Sequence, residues 1–447
     1  LVDRDQGRPE GALAKWRRAL DIMDAQRGKL AGSDRARFAR RYAVLYRDPQ
    51  VLLLERGQGA EAFAIHERFH ARALLALLAG RGQPESAPAT PALDLAGVRA
   101  ALDRGAALLA FGMLRRSVVL FVVRAAGDPG PPVTVLTLPF DEEALRARVL
   151  AFRGLLERGR ESPELEPALL AQGERLYSDL VRPAEPALAG AERLLVSPDG
   201  PLHLLPFAAL VRSRAPLQFV AAWKPVTVVA SASVFAEIKK SRRAHPDPAP
   251  RLVAFGDPVL PDGLHPLPYS RLEVEQVAAL FGDAAERYLG PAATERQVLA
   301  AAPGARYLHF ATHGLLDART PLDSALVLSA EGGDDGLLRA WEVRDRLRLD
   351  ADLVTLSACE SALGQEATAE GLVGLTRAFQ RAGARSVVAS LWAVTDRPAA
   401  RFMETFYAGV RSGMDRDQAL AAAQVESLGA GVHPYHWAGF QLAGDWR

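Results

Sequence analysis

The sequence predicts an α/β protein: a mainly parallel sheet with flanking helices, in two tandem halves, preceded by an α-helical segment. Three observations carry this. Apolar positions recur at helical spacing from residue 8 to about residue 82. From about residue 93, short apolar runs alternate with helix-length amphipathic segments, the texture of crossover-linked parallel strands. Two Pro-rich breaks, Gly80–Pro91 and Arg242–Pro250, punctuate the chain. A length of 447 residues fits two or three units, and 49% hydrophobic with 24% charged residues is ordinary globular composition.

In the first segment Ala12, Trp16, Ala19, Leu20 and Met23 share one helical face, as do Phe63, Ile65, Phe69, Ala73, Leu74 and Leu77. Helices are expected near 9–28, 34–56 and 59–80. Paired helices of this kind build tetratricopeptide arrays. No clean repeat of roughly 34 residues can be laid over the segment, so at most a degenerate terminal repeat is read. The expected organisation is a helical segment 1–82, a linker 83–92, one α/β half at 93–240 and a second at 250–447. Strands are expected at Ala106–Phe111, Ser117–Val123, Thr134–Leu138, Leu194–Ser197, Val226–Ala230, Leu252–Phe255, Leu308–Ala311, Leu326–Ser329, Leu353–Ser357, Val387–Leu391 and Phe440–Leu442. Helices are expected at 141–157, 166–182, 271–281, 294–301, 370–382, 397–411 and 415–428.

The charge balance, 54 basic against 53 acidic residues, argues against bulk capture of nucleic acid or of an anionic membrane. Only five of the basic residues are lysines, and the arginines are spread through the whole chain. The opening residues LVDRDQGRPE are polar, and Arg115 and Arg116 interrupt the most apolar stretch. A soluble cytoplasmic protein is the expectation. The one cysteine, Cys359, has no partner for an internal disulfide and cannot form a cysteine-rich zinc site. It is core filler, an accident or a working thiol.

Two segments of the second half share a layout. In YLHFATHG (307–314) an apolar strand runs into His313 and Gly314, and in LVTLSACE (353–360) a strand runs into Cys359. Sites in open parallel sheets lie at the carboxyl ends of strands, so neighbouring strands would bring imidazole and thiol together. A thiolate is the nucleophile, and a nearby imidazole raises its population at neutral pH. The backbone amides of Gly314 and Cys359 are natural donors to an oxyanion. The alternatives are a small core cysteine and a capping histidine. His309 stands four residues before His313, but no HExxH motif or third ligand accompanies them, so no metal and no cofactor are expected.

Six ordered motifs resemble the CHAT family of caspase-like, separase-related cysteine peptidases, which are often attached to tetratricopeptide arrays. They are LLVSPDGPLHLLPFAAL (194–210), RLVAFGDP (251–258), YLHFATHG (307–314), LVTLSACES (353–361), EGLVGLTRAFQRAGARSVVASLWAVTD (370–396) and HPYHWAGFQLAGDWR (433–447). The resemblance implies that His313 is the catalytic histidine, Cys359 the nucleophile, and the Gly314 and Cys359 amides the oxyanion hole. It implies a pseudo-caspase half at 93–240 and a catalytic half at 250–447. Ser361 stands where the family often has Thr, and Ala393 where it often has Pro.

Asp396 resembles an acidic residue near the separase pocket for the residue before the cut (P1), where a carboxylate would pair with arginine. It equally suits the cap of a helix starting near Arg397–Pro398. Some relatives cut after apolar residues. Asp317, Asp323 and Ser324 are site-edge candidates that also suit a turn. The resulting expectation is a cysteine endopeptidase acting on a specific protein, regulated by a protein partner through the N-terminal helices, in a defence or programmed-death role. A silent caspase-like scaffold and a thiol redox sensor are the alternatives.

Overall fold

Apolar runs such as Ala106–Met113 and Leu252–Gly256 are buried along their whole length, as strands covered on both faces must be. The computed structural model describes residues 9–28, 43–79, 91–240, 250–317, 320–360, 369–392, 394 and 396–447. It divides into two units.

The first unit comprises Leu1–Ala147, Pro183–Leu202 and Val229–Glu237. Its helices Pro9–Gly28, Ala43–Glu55 and Gly59–Ala79 precede strands β1 (Ala106–Met113), β2 (Val118–Arg124), β3 (Val133–Leu138) and β4 (Arg193–Ser197). The part of the expected second helix before Ala43 lies outside the described residues. β1 runs parallel to β4 and antiparallel to β2, which pairs with β3. Phe63 of the third helix meets Phe121 edge-on at 5.5 Å. The neighbouring Glu67 is fully buried and accepts hydrogen bonds from Ala232 N (3.2 Å), Ser233 N (2.9 Å) and Ser233 Oγ (2.7 Å). Burial pushes its carboxyl up, against the pull of these donors.

The second unit comprises Arg148–Arg182, His203–Val228 and Ile238–Arg447. A hairpin of β5 (Val211–Arg214) and β6 (Leu217–Phe219) stands apart from a sheet built of β7 (Val226–Val228), β8 (Leu252–Gly256), β9 (Ala285–Leu289), β10 (Tyr307–Leu315), β11 (Ala325–Val327), β12 (Leu337–Arg339), β13 (Leu353–Glu360), β14 (Ser386–Ser390) and β15 (Phe440–Gly444). The order is β12-β11-β10-β13-β14-β15-β7, with β8 also against β10 and β9 outside it. The pairs β8–β9, β8–β10, β10–β13, β13–β14 and β7–β15 are parallel. The ladders β10–β11–β12 and β14–β15 are antiparallel.

Strand alternation sorts the two faces. Leu308, Phe310, Val354, Leu356 and Val387 join Val298, Val343 and Phe379 in one apolar core, with Phe255 stacked 5.2 Å from Phe310. His309 and Thr355 lie on the opposite face, beneath helices Ser270–Ala279 and Asp396–Arg411. There Tyr407 Oη bonds Thr355 Oγ1 at 2.7 Å, and Glu273 Oε1 lies 3.0 Å from His309 Nε2.

Each run read as a strand from the sequence forms one. β5, β6, β9 and β12 were not foreseen, nor were helices Leu95–Ala101, Ala232–Lys240 and Ala340–Arg346. β10 continues to Leu315, four residues past its expected end. The extension exists because Gly314 and Leu315 pair with Leu326 and Ala325 of β11 once β8 has ended. No helix among the described residues is long and apolar enough to cross a membrane.

Candidate active site

His313 and Cys359 are register partners in the parallel pair β10–β13, and Gly314 stands opposite Glu360. Both residues therefore lie in the last turns of pleat of their strands, at the carboxyl end of the sheet. The same register starts at Tyr307↔Leu353 and passes His309↔Thr355, so His313 is two pleat repeats beyond the buried His309 on the same face. Continuous pairing over eight residues fixes that placement, since a slip by one would transfer every side chain to the other face.

His313 is 6% exposed, and its Nε2 lies 2.7 Å from the carbonyl oxygen of His265. A carbonyl only accepts, so Nε2 carries the hydrogen of this bond. His265 belongs to the segment joining β8 to helix Ser270–Ala279. Gly256, at the end of β8, allows the helix to come close: a Cβ there would meet Val274 Cγ2 at 2.7 Å and Ser270 O at 3.1 Å. Next to it Asp257 has φ of +50°, a left-handed conformation uncommon outside glycine. Arg271 holds its carboxylate at 2.9 Å (Nε) and 2.6 Å (Nη2), and its N–H donates to Ser270 Oγ at 3.2 Å. Beyond it the segment carries Pro258, Pro261, Pro266 and Pro268 and lines a cleft of about 380 Å³. Fixed φ angles make such a segment stiff, which suits it to aim one carbonyl at an imidazole.

On the far side of Cys359 is β14. Its register with β13 runs Leu353↔Ser386 to Leu356↔Ala389, and Leu391 and Trp392 follow directly on the carboxyl end of β14, at the same edge of the sheet as Cys359. Trp392 is 7% exposed; its Nε1 donates to Tyr435 O at 2.9 Å and its ring stacks on Tyr435 at 5.7 Å. Gly439 permits this packing, since a Cβ there would stand 2.9 Å from Trp392 Cε2.

The remaining expected residues are placed as follows. Asp317 accepts from Thr320 N (2.9 Å) and Thr320 Oγ1 (2.7 Å), and its own N–H donates to the buried Ser324 Oγ at 3.0 Å. Asp323 donates its N–H to Thr320 O at 2.8 Å. These three residues thus occupy the connection from β10 to β11. Asp396 is the first residue of helix Asp396–Arg411. Among the described residues, no group of three or more His, Cys, Asp or Glu is arranged to hold a metal ion.

The His265 carbonyl was absent from the sequence reading, and Trp392 stood there only within the motif 370–396, with no role of its own. A detectable signal existed for the first: a Pro-rich segment directly after a buried parallel strand sits at the carboxyl edge by topology. Trp392 required the β13–β14 register.

A mainly parallel sheet flanked by helices, with its connections at the carboxyl end, is a caspase-like fold. Separase in its Saccharomyces cerevisiae complex with securin shares this fold, with a TM-score of 0.54 at 10% identity, over 98% of this chain and 37% of that one. The chain belongs to the CHAT domain family, whose model matches residues 170–445. Tetratricopeptide repeat protein 28 of Mus musculus is 30% identical over 330 residues, 60% of this chain. The Homo sapiens protein of the same name is 29% identical over 338 residues, 64% of this chain. The chain spans 13% of the length of each of these two relatives.

Proposed function

We propose that the chain is a cysteine endopeptidase that cuts a specific protein. The observation that carries this reading is the register pairing of His313 with Cys359, with His313 Nε2 turned to a backbone carbonyl. Nε2 is then committed as a donor, and proton exchange falls to Nδ1. The Cys359 thiolate attacks the peptide carbonyl carbon, and the amides of Gly314 and Cys359 stabilise the oxyanion. The C–N bond breaks as His313 gives a proton to the departing amine, leaving a thioester. Water attacks the thioester, releasing the new carboxyl terminus and the thiol. Asp396 is assigned to a basic P1 residue, with Asp317, Asp323 and Ser324 at the edge of the cleft. The N-terminal helices are assigned to a regulatory protein partner, and the setting to cytoplasmic defence or programmed death.

A catalytically silent scaffold is the second reading, favoured by the match to tetratricopeptide repeat proteins. Incubating the chain with a pooled peptide library and reading new termini by mass spectrometry separates the two. Cleavage that is lost, by at least about 10³-fold, in both Cys359→Ala and His313→Ala is the expected result. No cleavage by the wild type, with or without a bound partner, contradicts the peptidase. Reversible oxidation of Cys359 that survives His313→Ala would instead mark a redox sensor. In Asp396→Ala, unchanged preference at P1 would remove the pocket assignment.

A further inference from the structure

Leu391 and Trp392, just past the carboxyl end of β14, are not held by the sheet alone. Helix Glu142–Gly159 reaches them through Arg153. The Nη2 of Arg153 donates to the carbonyl of Leu391 at 3.1 Å, and its guanidinium carbon lies 5.5 Å from the centre of the Trp392 ring. Seven residues further on, just past the end of the helix, Arg160 stands over Tyr435 at 4.8 Å, the ring on which Trp392 stacks. Ser390 Oγ donates to Trp392 O at 2.7 Å, and Leu391 N donates to Gly439 O at 2.9 Å. The result is a layered stack of cation, indole, phenol and cation at the carboxyl edge of the sheet, next to the end of β14.

We propose that Arg153 is a positioning residue for substrate selection: it fixes Leu391–Trp392, and through them the wall against which a bound peptide lies beside Cys359. The proposal rests on the peptidase reading above. The chemistry is specific to a guanidinium, which presents a planar fork to the carbonyl while its face covers the indole. An ammonium does one of these at a time. Arg153 does not touch the reacting atoms, so its loss changes which peptides bind, and how well, without disarming the thiol. The occupant of this wall is an extended peptide segment, not a metabolite, since the supporting residues are backbone carbonyls and stacked aromatic rings.

The test compares full-length wild type, Arg153→Met and Arg153→Lys. Methionine keeps the unbranched stem, which protects the fold, and the melting temperature checks that it does. Three quantities are read: kcat/KM on the best library peptide, the rate of Cys359 alkylation by iodoacetamide, and hydrogen exchange at Leu391 and Trp392. For Arg153→Met the expected outcome is a fall in kcat/KM of about tenfold, carried by KM. Alkylation is unchanged, and exchange is faster at Leu391–Trp392 but not in β10 or β13. Arg153→Lys recovers part of the loss. Unchanged kcat/KM and unchanged exchange in Arg153→Met overturn the proposal and leave the peptidase standing. A wild type that cleaves no peptide overturns the underlying reading, and the proposal falls with it by that separate observation.

Discussion

The two ends of strands β10, β13 and β14 are built differently, one from paired charges and one from a histidine and a cysteine in register. At the amino end, Asp352 meets Arg306 Nε at 2.5 Å and Arg385 Nη1 at 2.9 Å, and Arg385 also binds Asp445. Arg416 Nε donates to Ser386 Oγ at 3.0 Å, and the carbonyl of the fully buried Trp446 accepts from Arg416 N at 2.7 Å. Burial lowers the Arg416 guanidinium to about 10, although Asp352 draws it back up. At the carboxyl end, His313 and Cys359 are set opposite each other by backbone register, and His313 Nε2 donates to the His265 carbonyl. The amino end spends its polar groups on each other; the carboxyl end sets a histidine and a cysteine in register. Fixing strand ends at one pole leaves the opposite pole open to variation in its loops, a division that suits a fold whose site is made of loop segments.

That contrast can be broken from either end. The largest effect is the loss of cleavage in Cys359→Ala and His313→Ala, with unfolding free energy essentially unchanged. Next is Arg385→Ala, which leaves the Asp352 and Asp445 carboxylates buried without their shared cation. It is expected to destabilise the chain by about 3–5 kcal/mol in urea unfolding. The alkylation rate of Cys359 in the remaining folded fraction should not change. A drop in that rate equal to the drop in stability would show that the two ends are not separable.

Acid titration sharpens the comparison. Burial pushes the Asp352 carboxyl up, but Arg416, Arg306 and Arg385 together outweigh burial and hold it below the usual carboxylate range. The unfolded chain therefore binds the proton more readily. This contribution to stability is complete above the ordinary carboxylate pKa of about 4 and is lost as pH falls through the lower folded value. Urea unfolding at pH 6 and at pH 3 should show less acid sensitivity in Asp352→Asn than in wild type. Equal sensitivity would mean that other carboxylates govern the acid limb. The smallest effect lies between the poles: Tyr407→Phe loses one buried hydrogen bond to Thr355, about 1 kcal/mol in the same assay.

Much of this was legible in the sequence. Runs such as LVAFG and SVVAS are short, apolar and bounded by breakers, so they read directly as buried strands. β9 escaped because AERYL sits at the outer position beside β8, where Glu286 and Arg287 are exposed and no continuous apolar run is needed. β5, β6 and β12 are three or four residues long, too short to carry a period. At the site, the apolar runs put His313 and Cys359 just beyond the expected strand ends at 311 and 357, whereas both lie inside longer strands that end at Leu315 and Glu360. The His265 carbonyl and the Arg153–Leu391 contact join residues far apart in sequence through a backbone oxygen, and a backbone oxygen leaves no mark on residue type.

The pairing of His313 with Cys359 is the centre of the account, and the thiol itself reports on it. With a single cysteine in the chain, carboxymethylation followed by mass spectrometry reads one site. Rates measured from pH 6 to 9 on wild type and His313→Ala give the thiolate population at each pH. The expected result is a wild-type thiol that reacts several-fold faster than the variant near pH 6.5, because the neighbouring imidazole favours the thiolate. Coincident profiles, both titrating near the free-thiol value of about 8.5, would contradict the pairing.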